Sequence, residues 1–142
     1  MPTQPRPHVL IVSDDIDLAG FLSEGLVLAG FWTSTIASAL QTIEVFRLRT
    51  FDIVIVDAAL QGLGAVELAR RLVSFTNRPM IAVASSPDEM SEPEAMGLGF
   101  ISILYPPIEI EDLGTGLFAV VSAWRSAHPG EPWADELAQS AG

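Results

Sequence analysis

Phe51-Asp52-Ile53-Val54-Ile55-Val56-Asp57 is a run of β-branched residues that ends, without a turn residue, on a carboxylate. A nearly continuous Ile/Val segment reads as a strand covered on both faces, the habit of a central strand in a parallel sheet packed between helices. An acid at the carboxyl end of such a strand lies where open α/β sheets place their ligands and chemistry. Asp57 is therefore the first candidate for function. The bland alternative is that it merely opens a loop.

Outward on the N-terminal side, His8-Val9-Leu10-Ile11-Val12 is a second β-branched run, and it gives way to Ser13-Asp14-Asp15. Acids again follow a strand. From Ile16 the apolar positions Leu18, Phe21, Leu22, Leu26 and Leu28 recur at helical spacing until Gly30, which predicts a helix with Asp14 or Asp15 near its positive N-terminus. One of these acids could simply be an N-cap. Residues 31–36 read as a short strand, and residues 38–48, with Leu40, Ile43, Val45 and Phe46, as a second helix.

On the C-terminal side, residues 58–64 form a loop with two glycines. Residues 65–75 follow as an amphipathic helix, with Val66, Leu68, Ala69 and Leu72 inside and Glu67, Arg70 and Arg71 on a solvated face. Residues 80–84 are a fourth strand ending on Ser85-Ser86. The acidic segment 88–96 is expected to make a poor helix, since Pro93 falls inside it. Residues 100–105 form a fifth strand stopped by Pro106-Pro107. The last helix, 110–127, carries Leu113, Leu117, Phe118, Val120, Val121 and Trp124 as a broad apolar stripe. Strands alternating with helices five times predict an α/β, doubly wound domain with a parallel sheet. The right-handed crossover rule then brings the ends of the first and third strands together, so Asp14 and Asp57 should meet.

Composition narrows the function. At 142 residues the chain has the length of one domain, and no output domain is expected within it. Its apolar runs are too short to span a membrane and its start lacks a signal-peptide core, so a soluble, cytoplasmic protein is expected. The absence of cysteine excludes disulfides and thiolate chemistry, and His8 and His128 are too far apart in sequence to suggest a histidine-rich metal site. A net charge of −11 argues against nucleic acid. All seven cations are arginine, and there is no lysine. No glycine-rich phosphate loop and no Gly-x-Ser-x-Gly elbow is present, which leaves dinucleotide enzymes and serine hydrolases unsupported.

The order of elements and their terminal acids resemble the receiver domain of bacterial two-component response regulators, the CheY-like, flavodoxin-like (βα)5 fold. The resemblance runs from His8 to Trp124, nearly the whole chain. Ser13-Asp14-Asp15 is similar to the family's acidic cluster, and the strand ending at Asp57 to the one that presents the phospho-accepting aspartate. It implies a receiver over residues 8–127; the proline-rich start at 1–7 is expected to be frayed, and the tail at 128–142, with Trp133 and Leu137 in polar surroundings, to be flexible or a weak docking segment. It also implies that Asp57 is the nucleophile in phosphorelay signal transduction, with a sensor histidine kinase or phosphotransfer protein as donor and a downstream protein as reader. Mg²⁺ would be held, weakly, by Asp14, Asp57 and the Ala59 carbonyl, or by Asp15 after a one-residue register shift. Signalling, not enzymatic turnover, is the expected role.

Four family positions depart from the pattern. Ser13 stands where the first of two adjacent acids is usual, and Ala84 where a Thr or Ser bonds the phosphoryl group. Pro106 stands where a lysine pairs with it, and Ile103 at the aromatic switch position. With no lysine in the chain, no register restores that ion pair. Driving a two-state domain from about 1:99 to 99:1 takes roughly 5.5 kcal/mol. Losing two hydrogen bonds to a charged group removes on the order of 3–6 kcal/mol of that. The expectation is an atypical receiver with weak coupling to its output face.

Two other functions remain open at this point. One is a phosphorylation-independent adaptor acting through a constitutive face or homodimer on the last helix, around Leu117, Phe118, Val121 and Trp124, although ordinary core burial is the commoner use of such a stripe. The other, an aspartate-nucleophile phosphatase similar to haloacid-type enzymes, wants a second acid two residues after the nucleophile, and Ala59 sits there.

Overall fold

The computed structural model describes residues 6–131. Ten elements alternate along the chain: β1 (His8–Val12), α1 (Ile16–Leu28), β2 (Trp32–Ile36), α2 (Ala39–Phe46), β3 (Ile53–Asp57), α3 (Gly64–Phe75), β4 (Met80–Val83), α4 (Glu92–Gly97), β5 (Ser102–Leu104) and α5 (Ile110–Ala127). The five strands form one parallel sheet in the order β2-β1-β3-β4-β5. The Ile/Val run is its centre, and every residue of β3 is buried.

Side chains in a strand alternate between faces, and this divides the core in two. Leu10, Val12, Val54, Val56 and Ala82 face one layer with Ile43 of α2, Leu68 and Leu72 of α3 and Ala95 of α4. Val9, Ile11, Ile53, Ile55, Ile81 and Val83 face the other, against Leu22 and Leu26 of α1 and Leu117 and Val121 of α5. A purely parallel sheet needs both covers, because each crossover lays a helix on one face.

The helices differ from the sequence expectation in which residues they bury. In α3 the inward stripe is Ala65, Leu68, Ala69 and Leu72, spaced i, i+3, i+4, i+7, and Val66 is 41% exposed instead of buried. In α1 the stripe is Ala19, Leu22 and Leu26, while Phe21 and Leu28 point out. In α2, Leu40 is exposed. In α5, Leu117, Val121 and Trp124 are buried in the domain's own core, and Phe118 packs its ring 4.3 Å from Phe31. Most of the stripe considered for an adaptor or homodimer face is therefore already occupied.

Pro93 does not weaken α4. That helix starts at Glu92, so the proline lies in the first turn, where its missing N–H has no intrahelical partner to lose. The Ser91 hydroxyl accepts from the Glu94 N–H and the Glu94 carboxylate accepts from the Ser91 N–H, a reciprocal capping box. Gly99 then lets the chain leave the helix at φ +99°, where a Cβ would stand 2.8 Å from Val73 Cγ1.

Parts of both end segments are tied down. The Pro7 carbonyl accepts from the Trp32 N–H at 3.0 Å. His128 stacks on Trp124 at 4.2 Å, and Glu131 approaches Arg78 at 3.8 Å. Residues 1–5 and 132–142, including Trp133 and Leu137, lie outside the described residues.

Candidate functional site

Parallel pairing places Val12 beside Val56, so the residues after β1 and the last residue of β3 open at the same end of the sheet. Asp57 is 6% exposed there. Its carboxylate is held by two neutral donors: the Ser13 hydroxyl donates to Oδ2 at 2.7 Å and the Ala59 N–H to Oδ1 at 2.9 Å. No salt bridge reaches Asp57 among the described residues.

Asp14 and Asp15 part company at the end of β1. Asp15 turns away to cap α1, its Oδ1 accepting from the N–H groups of Asp17 and Leu18 at 3.0 and 3.1 Å. This satisfies two of the donors that a helix start leaves without partners. Asp14 is exposed and reaches across to the loop after β3, where its Oδ2 accepts from the Gln61 N–H at 3.0 Å. The sequence left open which acid faces Asp57's loop and which caps the helix; the geometry gives Asp14 the first position and Asp15 the second. Ser13 is buried, and its oxygen, while donating to Asp57, also accepts from the Asp15 N–H at 3.0 Å.

The Ala59 carbonyl is engaged by the side chain of Gln61, which donates through Nε2 at 3.0 Å. Nothing in the sequence marks Gln61, because a glutamine in a loop carries no periodicity and no charge. The oxygens available for a cation are thus two carboxylates and one peptide carbonyl. Hard oxygen donors of this kind suit Mg²⁺, which takes one or two carboxylates and completes its shell with water or substrate oxygens. Among the described residues no three acidic or histidine side chains converge to hold a metal by themselves.

At the ends of β4 and β5 stand the residues on which the expectation of an atypical receiver rests. Ala84 is buried and offers no side-chain donor; its N–H is used by the Leu104 carbonyl in the sheet ladder. The next N–H, that of Ser85, is taken at 2.9 Å by the Glu89 carboxylate, which brings negative charge to the end of β4. Pro106, exposed and joined to Pro107 by a cis peptide bond, supplies neither charge nor donor. Ile103 is half-buried. The aromatic side chain at this end of β5 is Tyr105, two residues on and hence of the same parity, packed with Ile103 against the α2/α3/α4 core. Its hydroxyl donates to the Met90 carbonyl at 2.7 Å, tying β5 to the loop before α4. Burial, then the Glu92 and Glu94 carboxylates, raise the phenol above its usual range, so it remains the protonated donor at neutral pH.

Comparison with known proteins places this geometry. Residues 9–117 match the model of the response regulator receiver domain. The regulatory protein VirG of Agrobacterium tumefaciens (strain 15955) is 27% identical over 110 residues, covering 77% of this chain and 41% of that protein. VirG of Rhizobium rhizogenes is 27% identical over 101 residues, 70% of this chain and 42% of its own length. The chain spans about two fifths of the length of these relatives. Among solved structures, a CheY-like receiver domain from Methylobacillus flagellatus superposes with a TM-score of 0.73 at 24% identity, covering 82% of this chain and 99% of the other. The receiver domain of a sensor histidine kinase from Pseudomonas aeruginosa, described with magnesium coordinated in its active-site cleft, superposes at 0.75 with 17% identity, covering 83% and 99%. With strand order, terminal aspartate and a family match over most of its length in agreement, the chain belongs to the response regulator receiver domain family.

Proposed function

We propose that this chain is a receiver in phosphorelay signalling that accepts a phosphoryl group on Asp57 and couples it only weakly to its output face. The observation that carries the reading is a buried carboxylate at the carboxyl end of the central strand, with neutral donors, a second acid on the neighbouring loop and no salt bridge among the described residues. In the reaction an Asp57 oxygen attacks phosphorus, an acyl phosphate forms, and the donor's bond to phosphorus breaks with its electron pair leaving on the donor. Mg²⁺, held by Asp14, Asp57 and the Ala59 carbonyl, would supply the positive charge that offsets repulsion between this nucleophile and an anionic phosphoryl group. The Ser13 hydroxyl and the Ala59 N–H orient the carboxylate for the attack. Weak coupling follows from Ala84 and Pro106, which offer no side-chain donor to the phosphoryl oxygens, and from Glu89, whose charge faces the same end of β4.

A histidine kinase or phosphotransfer protein as donor and a protein as reader are what receiver domains use in general, and this reading gives them to the present chain. A second reading, a constitutive adaptor, draws on one observation: the Asp57 and Asp14 carboxylates both accept hydrogen bonds from the protein's own donors. The test is intact-protein mass after incubation with acetyl phosphate and Mg²⁺, with Asp57→Asn alongside. The expected result is a single phosphate adduct that the variant lacks. A folded parent that takes up no phosphate would transfer the assignment to the adaptor.

A further inference from the structure

The oxygens that the phosphoacceptor reading gives to a divalent cation are already engaged by one residue. Gln61, on the loop from Asp57 to α3, donates its backbone N–H to Asp14 and its side-chain amide to the Ala59 carbonyl, each at 3.0 Å. Two of the three ligand groups are thus bonded to Gln61. The acids that could stand in for them have other partners. Asp15 caps α1, and the position before Asp14 is a serine whose hydroxyl is bonded to Asp57.

We propose that Gln61 is a positioning residue that gates the acid cluster against divalent cations, through hydrogen bonds to Asp14 and the Ala59 carbonyl with which a cation must compete. The proposal rests on the phosphoacceptor reading for its choice of ligands. Electrostatics gives the gate its direction. The amide's N–H groups present partial positive charge to the oxygens a cation needs, so the cation and the amide donor compete for the same side of the carbonyl. The gate on the Ala59 carbonyl is soft, because Gln61 is exposed and its long side chain can swing away while its backbone N–H keeps Asp14 in place. Gln61 itself is exposed and Gly62 has open space where a Cβ would be, while Leu60 and Leu63 on either side anchor the loop to the core. Gln61 accordingly serves the oxygens it touches and not the stability of the fold. Phosphorylation of Asp57 then requires a higher cation concentration than in a site whose carbonyl is open.

The test measures cation affinity directly, by calorimetry with Mg²⁺ and electron paramagnetic resonance with Mn²⁺, on the parent, Gln61→Ala and Gln61→Glu. Removing one exposed hydrogen bond that competes with the cation should tighten binding about three- to tenfold in Gln61→Ala. Gln61→Glu should tighten it further, since a donor is replaced by a hard oxygen ligand. Asp14→Asn added to Gln61→Ala should erase the gain, and the unfolding temperature without divalent cations should not move in Gln61→Ala. If the parent binds Mg²⁺ through Asp14 and Asp57 but Gln61→Ala binds no tighter, the gate is wrong and the phosphoacceptor reading survives. A lowered cation-free unfolding temperature with unchanged affinity would make Gln61 a structural strap and overturn the gate. If neither parent nor variants bind Mg²⁺, gate and metal-assisted phosphoacceptance fall together.

Discussion

Asp52 and Asp57 bracket the same Ile/Val run, and both are buried, at 1% and 6% exposure. Their surroundings differ completely. Asp52, at the base of the sheet, has a buried arginine: Arg78 donates to its Oδ1 at 3.2 Å, while its Oδ2 accepts from the His8 N–H at 2.7 Å. The Arg78 guanidinium lies 4.0 Å from the centre of the Trp124 ring, and the Trp124 indole donates to the Asn77 carbonyl. Asp57, at the other end, meets a hydroxyl and a peptide N–H, with Asp14 on the neighbouring loop. A carboxylate taken out of water needs compensating charge or a full set of donors. Where the protein supplies the cation itself, the charge is finished and the acid is structural. Where it supplies only dipoles next to another acid, the charge remains available to something from outside.

The sharpest way to break this contrast is to remove the resident cation. Arg78→Met leaves Asp52 buried without its ion-pair partner, and truncating one member of a buried pair costs about 3–5 kcal/mol. Urea unfolding should show a loss of that size, and Asp52→Asn added to Arg78→Met should recover much of it, because a neutral amide oxygen still accepts from the His8 N–H. A loss under about 1 kcal/mol for Arg78→Met would mean that Asp52 is no more fixed by its surroundings than Asp57.

The second prediction concerns His8, which shares the base of the sheet. Desolvation, then the positive charge of Arg49, lowers its pKa from 6.5 to about 4, so the buried ring stays neutral and shares a hydrogen with the Ser34 hydroxyl at 2.7 Å. The unfolded chain takes up a proton on this histidine below its ordinary pKa of 6.5 while the folded one does not, so stability falls with pH between 6.5 and about 4. Between about pH 7 and about pH 5 the loss from this group alone should be about 2 kcal/mol. His8→Phe removes the titration. Its stability should decline less than the parent's over the same interval, and parallel curves would show that the ring is not held neutral.

The contrast between the two aspartates was only half legible before the fold was known. The Ile/Val run names its own layer, since a strand with no polar alternation has to be covered twice, and strand direction then makes Asp57 the acid on the ligand side. Ser13, Asp14, Ala84 and Pro106 follow from their places at strand ends. Arg78 carries no such signal. Its partner is 26 residues away, and an isolated arginine before a proline reads as surface. Gln61, Glu89 and Tyr105 are equally silent, because their roles depend on the path of loops and on side-chain reach, which periodicity does not encode. The buried stripes of α1 and α3 are set differently from the predicted ones, as Ala19 and Ala65 take inward positions while the larger Phe21 and Val66 face out. Side-chain size ranks hydrophobicity well and helix facing poorly.

The smallest expected effect is the most pointed one. Asp57→Asn keeps the shape of the side chain and leaves an amide oxygen to accept from either the Ser13 hydroxyl or the Ala59 N–H. The cost is about one neutral hydrogen bond, and the gain is the removal of a buried charge beside Asp14. These terms are each about 1 kcal/mol and opposite in sign, so unfolding in the absence of divalent cations should change by no more than about 1 kcal/mol. Asp52→Asn, the same chemical change five residues earlier, strips Arg78 of its buried carboxylate and should cost several times as much. Mg²⁺ should stabilise the parent but not Asp57→Asn, because only a ligand that binds the folded state shifts its unfolding. Equal costs for the two substitutions, with no effect of Mg²⁺ on either, would remove the distinction between an acid that completes the fold and one that waits for a cation.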